Sequence, residues 1–358
     1  MKEQVCFGCL TKYFENDVCP KCMCDNNYYN MFEYEPVDKN SYKIKNFLKK
    51  EEIKNLVLPS KFQNEPITAV GYSAFNRSKM VEITINSGCI DIYNGAFEDC
   101  KELEKVNLPN SIKSIGSGAF LSCEKLKTIN LCDGLKIIDS CAFARTGIED
   151  ITIPDSVVFI GSSAFSECEC LEKINLSNNI DTIKEKTFSH CKKLKEIVIP
   201  SSVLHIEDAA FADCINLEKI TLSNKLEKIG FNAFGHCCKL KQIIIPDTVK
   251  FIDDYAFEFC EEIEYIQLPN GIKKIGKGWF SNCKKLKNIT IPKNVEQIDV
   301  FSFLRCEALE KIELYDNIKE IQIYAFYGCK KLEKIKFDRS NVYVGENAFK
   351  GTKINIHY

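Results

Sequence analysis

Four cysteines near the start of the chain form two Cys-x-x-Cys hooks, Cys6–Cys9 and Cys19–Cys22, with nine residues between the hooks. Thiolates at this spacing can each take one side of a tetrahedral ion, which points to a closed structural zinc site. So short a segment has little core of its own, and metal binding would supply its folding free energy. Four thiolates leave no open coordination position, so the expected metal is structural rather than catalytic. Cys24 competes with Cys22 for the fourth place, and the paired spacing favours Cys22. Rubredoxin-like iron, redox disulfides and a disordered tail are the other readings of the same residues.

Little other chemistry is written in the chain. No Gly-x-x-x-x-Gly-Lys-Ser/Thr loop occurs, and Gly116-Ser117-Gly118 and Gly276-Lys277-Gly278 lack the spacing of a phosphate loop or a nucleophile elbow. Of the four histidines, His190 and His236 share a repeat position two units apart, while His205 and His357 have no evident partner. Asn288-Ile289-Thr290 fits a glycosylation sequon but reads equally as strand. The chain is expected not to be an enzyme. Lys and Arg total 48 against 50 Asp and Glu, so no net field draws in nucleic acid or an anionic membrane. Residues 1–26 hold no basic cluster, and the apolar runs Ile243–Ile245 and Val157–Ile160 are too short to span a bilayer. The opening MKEQVCFGC has no apolar signal region. The spacing of the 20 cysteines follows a repeat rather than paired staples. A reducing, cytoplasmic setting is therefore expected.

The elements that must position these residues repeat along the chain. Phe recurs at 75, 97, 120, 143, 165, 188, 211, 234, 257, 280, 303, 326 and 349, in steps of 22 or 23. Ile or Val stands five positions before each Phe, Ala precedes ten of them, and Cys follows ten of them by three positions. A unit this small cannot bury its apolar face alone, but stacked copies bury it as continuous columns. In LEKVNL, Val106 and Leu108 point inward while Lys105 and Asn107 point out. Pro at 59, 109, 154, 200, 246, 269 and 292 ends the strand. Ile112-x-x-Ile115-Gly116 forms the opposite wall, and Ala119-Phe120 makes a compact turn. After Phe75, Phe143 and Phe349 the Cys is replaced by Ser78, Thr146 or Thr352, and the next strand starts one residue early.

The motif Pro-x-x-Ile-x-x-Ile-Gly-x-x-Ala-Phe-x-x-Cys-x-x-Leu-x-x-Ile resembles the BspA-type, or Treponema pallidum-type, leucine-rich repeats over residues 53–358. The resemblance implies a mainly β repeat solenoid: a curved right-handed horseshoe of about thirteen coils with a parallel sheet on its inner face. It also implies, for many members, a surface adhesin binding host or partner proteins. Cys19-Pro20-Lys21-Cys22 resembles the knuckle of a zinc ribbon. Residues 1–26 then form the four-cysteine knuckle, 27–52 a linker and N-terminal cap, and 53–358 the solenoid. Within 27–52, SYKIKNFL is expected to add a capping strand, and SKFQNEPI (60–67) to protrude as a loop.

Stacked coils bring equivalent residues to about 4.8 Å. CKKLK (191–195), CINLE (214–218), CCKLK (237–241), CEEIE (260–264), CKKLK (283–287) and CEALE (306–310) alternate in sign, so each coil meets opposite charge on its neighbours. Buried Cys behaves as a small hydrophobe, and the Cys column reads as reduced packing residues. The outward columns of the inner face are polar and mixed, with no aromatic stripe. Tyr265, beside Ile244 and Gln267, is the best centre for a protein contact. Trp279, the one Trp, replaces the usual Ala and is either a packing adjustment or an exposed anchor. GTKINIHY (351–358) reads as a terminal strand whose edge allows an end-to-end homodimer. The function expected is a non-catalytic protein–protein interaction scaffold.

Overall fold

Two short strands per unit, one on each wall, close each repeat into a coil with its Phe between them. The structure is a computed structural model that describes residues 3–5, 12–14, 29–51, 53–337 and 341–354. It divides into two compact units, Met1–Cys168 and Glu169–Tyr358, each a stack of such mainly β coils.

In the first unit, β1 (Glu3–Val5) and β2 (Lys12–Phe14) pair antiparallel as a sheet of their own. β3 (Phe32–Asp38) and β4 (Ser41–Phe47) form a second antiparallel hairpin, and β5 (Asn55–Val57) opens the inner ladder. β6 (Lys61–Phe62) turns back onto β7 (Glu65–Val70), which pairs in parallel with β4. The capping strand expected over Ser41–Leu48 is therefore present, with β3 in front of it. Phe32 and Phe47 pack on each other at 5.5 Å and on Phe75 at 6.3 and 5.2 Å, so the hairpin covers the end of the Phe column. The free edge of β3 carries Glu33, Glu35, Pro36 and Asp38, which discourages pairing with another strand. The loop expected at 60–67 is instead a tight hairpin. Gln63 and Asn64 take φ of 51° and 71°, the geometry of a type I′ turn, and Phe62 stacks on Tyr34 at 3.9 Å.

Parallel ladders then run up both walls. In the first unit Asn55–Val57, Glu82–Thr84, Lys105–Asn107 and Thr128–Ile129 line the inner face. In the second, Glu196–Val198, Lys219–Thr221, Gln242–Ile244 and Tyr265–Gln267 do the same, as do Asn288–Thr290, Lys311–Glu313 and Lys334–Lys336. The Ile, Leu or Val that each strand carries at its second position faces the core, and the residue before it faces out. The Phe rings stack at 5.1–5.5 Å from Phe75 to Phe165 and 5.1–6.0 Å from Phe188 to Phe349, nearly parallel except for Phe280 and Phe303, which tilt by 33°.

The corner holding each Phe is itself a ladder. Residues two before and two after the Phe are left-handed in every coil, for example Ser122 at φ 59° and Tyr255 at φ 59°. This aims alternate N–H groups at the next coil: Phe97 N donates to Ala119 O at 2.8 Å and Asp99 N to Leu121 O at 2.8 Å. A non-glycine residue held left-handed costs about 1–2 kcal/mol, offset here by hydrogen bonds repeated at each coil and by the buried ring.

The Cys column completes the corner. Within each unit the column thiols donate back to the Phe carbonyl of the preceding coil, as in Cys123 to Phe97 O at 3.2 Å and Cys306 to Phe280 O at 3.0 Å. The expected sign alternation also takes shape. Lys101–Glu124, Lys125–Glu102, Lys192–Glu169, Lys284–Glu261, Lys285–Glu262 and Lys330–Glu307 pair between adjacent coils at 2.5–2.8 Å.

Candidate functional site

Strand geometry fixes which side chains a partner can reach. On the inner face of the second unit, Lys219, Gln242 and Tyr265 share one outward column, while Ile244 pairs with Gln267 in the other. Three consecutive coils there hold no charge at their outward positions: Gln242 and Ile244, Tyr265 and Gln267, Asn288 and Thr290. Glu196 and Lys219 flank this window on one side and Lys311 and Glu313 on the other. Ile244 is 56% exposed and Tyr265 50%, and Val198, two coils before Ile244, is 66% exposed. An apolar centre within a charged rim is the usual anatomy of a protein contact.

Two coils of the window also line a groove of about 490 Å³. Strands Tyr265–Gln267, Asn288–Thr290 and Lys311–Glu313 line it, with Tyr315 and Asn270 at its margin and Leu268, Ile291 and Pro292 in its floor. The structure thus brings Tyr265 and Gln267 into one groove and leaves Ile244 next to it. Tyr315 was missed by sequence reasoning because it lies beyond its strand, outside both outward columns. Lys293 sits over its ring, 5.7 Å from the centroid. The hydrogen bonding here differs from the first unit, where Asn107 Nδ2 donates to Glu82 Oε1 and Thr84 Oγ1, both at 3.0 Å, and Lys105 pairs with Glu82 at 2.7 Å. Among the described residues no such bond engages the side chains of Gln267, Asn288 or Thr290, and no ion pair engages Lys311 or Glu313. Asn270 donates its Nδ2 to both Asp247 carboxylate oxygens at 3.2 Å, which leaves its Oδ1 as an acceptor.

Trp279 is not an exposed anchor. Only 2% exposed, it lies edge-on to Phe280 at 6.1 Å, against Gly276, where a Cβ would stand 2.1 Å from the indole nitrogen. Its indole N–H finds no hydrogen-bond partner among the described residues. The substitution is therefore a packing adjustment, with glycine making room for the indole.

The expected metal ligands Cys6, Cys9, Cys19 and Cys22, and the rival Cys24, lie outside the described residues. So do 355–358, the last residues of the expected terminal strand. Among the described residues no three His, Cys, Asp or Glu side chains gather as a metal site, and no helix is long and apolar enough to cross a membrane. His190 Nε2 stands 3.6 Å from Asp213 Oδ2, while the His236 ring stacks on Phe259 at 4.6 Å. Neither lines the groove.

Comparison with known proteins follows the architecture. Residues 40–169, 136–264 and 252–357 match the model of the BspA type leucine rich repeat region. A leucine-rich repeat protein from Bacteroides ovatus is 31% identical, with 90% of this chain and 91% of that one covered and a TM-score of 0.73. A leucine rich cell surface protein from Faecalibacterium prausnitzii is 25% identical over 87% of this chain and 94% of that one, with a TM-score of 0.58. The pneumococcal vaccine antigen PcpA shares the fold at 17% identity, with 90% and 86% covered and a TM-score of 0.55. No curated protein gives a significant match.

Proposed function

The chain belongs to the BspA-type leucine-rich-repeat family, and we propose that it is a non-catalytic scaffold that captures a protein partner on the inner face of its second unit. The uncharged window carries this reading. Ile244 and Tyr265 stand exposed there, with Val198 exposed on the flanking coil of Glu196, and the other coils of this face in the second unit carry charge. Removing such apolar anchors from an interface costs about 2 kcal/mol or more each.

The same reading includes a structural zinc module. Support comes from the antiparallel pairing of β1 and β2: in sequence, the first Cys-x-x-Cys hook, Cys6 and Cys9, falls between these two strands, and paired hooks of this spacing chelate a tetrahedral ion. A reducing compartment is part of the proposal, supported by the column thiols, whose S–H groups serve as donors to buried carbonyls and would be lost on oxidation. A second reading, a surface protein binding host or partner proteins, is favoured by the cell-surface relative from Faecalibacterium prausnitzii.

Affinity capture from separate cytosolic and surface fractions, comparing the native chain with Val198→Asp/Ile244→Asp, tests both. A defined protein recovered from cytosol by the native chain and lost with the double variant is the expected result. Recovery only from the surface fraction would move the protein to the second reading. Identical recovery with both chains would remove the window as the contact.

A further inference from the structure

We propose that the groove between Tyr265 and Tyr315 binds a neutral oligosaccharide. The site shares Tyr265 with the proposed protein contact but goes beyond it, since Val198 and Ile244, through which that contact is tested, do not line the groove.

Four observations carry the assignment. First, the groove, about 490 Å³, falls within the ~300–1,000 Å³ of small-ligand sites. Its lining is mixed, and among the apolar side chains stand polar groups: amides from Gln267 and Asn288, the Thr290 hydroxyl and the Asn270 Oδ1. Amides and hydroxyls that both donate and accept suit a ligand rich in hydroxyl groups. Second, these groups are not consumed by hydrogen bonds within the described protein, in contrast to Asn107 on the first unit's inner face. Third, Lys311 and Glu313 are its two charged residues and cancel. A phosphate or carboxylate ligand would meet one cation with a carboxylate close by, so the groove suits a neutral molecule. Fourth, two tyrosines offer ring faces. Lys293 occupies one face of Tyr315, which leaves the other for the groove, and half of Tyr265 is exposed. The C–H face of a pyranose packs against such rings as an apolar surface while its rim hydroxyls meet the amides.

The spacing of the polar groups separates a sugar from a peptide. They recur at the coil spacing, about 4.8 Å, close to the advance of one pyranose ring along its chain. An extended peptide lying along the stack presents like-facing side chains only every ~6.4–6.8 Å, and so falls out of step by the second coil.

The test is calorimetric and NMR titration of the full chain with neutral trisaccharides: α- and β-linked glucose, β-linked galactose, α-linked mannose and β-linked N-acetylglucosamine. An oligogalacturonate and an uncharged extended peptide serve as comparators. We expect saturable binding of at least one neutral sugar. Tyr265→Ala and Tyr315→Ala should each weaken it about tenfold or more, and Tyr315→Phe, which keeps the ring, should weaken it less than Tyr315→Ala. Phe251→Ala, at an exposed ring on the opposite ladder, should leave it unchanged. No saturation by any neutral sugar at millimolar concentration overturns the proposal. So does equal affinity of the native chain and both alanine variants, or a preference for the acidic sugar or the peptide. Because the protein contact is read through Val198 and Ile244, its failure and this one are told apart.

Discussion

A thiol is a weak hydrogen-bond donor, yet the repeat uses one where a hydroxyl would bond more strongly. The reason lies in reach and solvation. Cys100, Cys214 and Cys237 fill the space of a small hydrophobe and extend to the Phe carbonyl of the preceding coil, at 3.0, 3.1 and 3.2 Å. In the shortened corners, Thr146 and Thr352 turn back instead to the carbonyls of their own Phe143 and Phe349, at 2.8 and 2.7 Å. The Ser78 hydroxyl is buried with no hydrogen-bond partner among the described residues. Burial pushes the Cys100 and Cys214 thiols up to about 12, from an ordinary value of 9.0. The folded state therefore holds these protons more tightly than the unfolded chain. Their contribution to stability is complete below about pH 9 and is lost as pH rises towards 12. Circular dichroism should accordingly show alkaline unfolding beginning above pH 9. At pH 8, an alkylating reagent read out by peptide mass spectrometry should modify the half-buried Cys141, Cys170 and Cys238 in the native chain and the column thiols only after denaturation. Rapid native labelling of Cys237 would mean that the column opens far more readily than its burial allows.

Between elements, register has to be fixed in a stack whose coils look alike. The apolar columns cannot do this, because a slip of one coil returns Phe to Phe and Ile to Ile. Charge can. Lys284 pairs with Glu261 at 2.8 Å, and Glu307 lies in the same column on the next coil, itself paired with Lys330 at 2.8 Å. Hydrogen bonding to Glu261 holds the Lys284 ammonium above its usual range. All four side chains are solvated, so each pair adds little stability by itself, but a slipped stack sets like charges together along the whole edge. Lys284→Glu should lower the melting temperature modestly in low salt, by placing three acids in one column. Adding Glu261→Lys should recover part of the loss, and molar salt should shrink the difference between variants. If Lys284→Glu melts like the native chain in low salt, the pairs are incidental. Much of this edge was legible in the sequence, because the Phe period fixes the column and the column fixes the neighbours. The corner ladder was not, since its left-handed positions hold residues such as Tyr255, Phe301 and Arg305 rather than the glycine that usually marks them. The hairpin at Gln63-Asn64 escaped notice for the same reason. The groove was half legible: Tyr265 and Gln267 follow from strand alternation, whereas Tyr315 depends on where the chain runs after Leu314.

At the scale of the whole chain, stability should be distributed rather than central. Within each unit, runs of adjacent coils are bonded by wall ladders and by the corner ladder, so losses propagate from coil to coil. Phe rings with no exposed surface, such as Phe234, are the parts the stack can least spare. The N-terminal hairpin stands outside this arrangement. β1 and β2 form a separate two-stranded sheet with no ladder to the repeat sheets among the described residues. A metal bound at Cys6, Cys9, Cys19 and Cys22 should therefore fold its own segment and contribute little to the coils. Protein purified anaerobically without added metal should contain about one zinc per chain, and visible absorption would reveal iron in its place. Removing the metal with a strong chelator should change NMR signals from the first residues while the main thermal transition stays where it was. By contrast, Phe234→Ala should cost about 3–5 kcal/mol and lower that transition with or without metal. A chelator that abolished the main transition would show the metal to be integral to the stack. Metal-free protein whose N-terminal thiols are oxidised in pairs would replace zinc with disulfides and favour the surface reading over the cytosolic one.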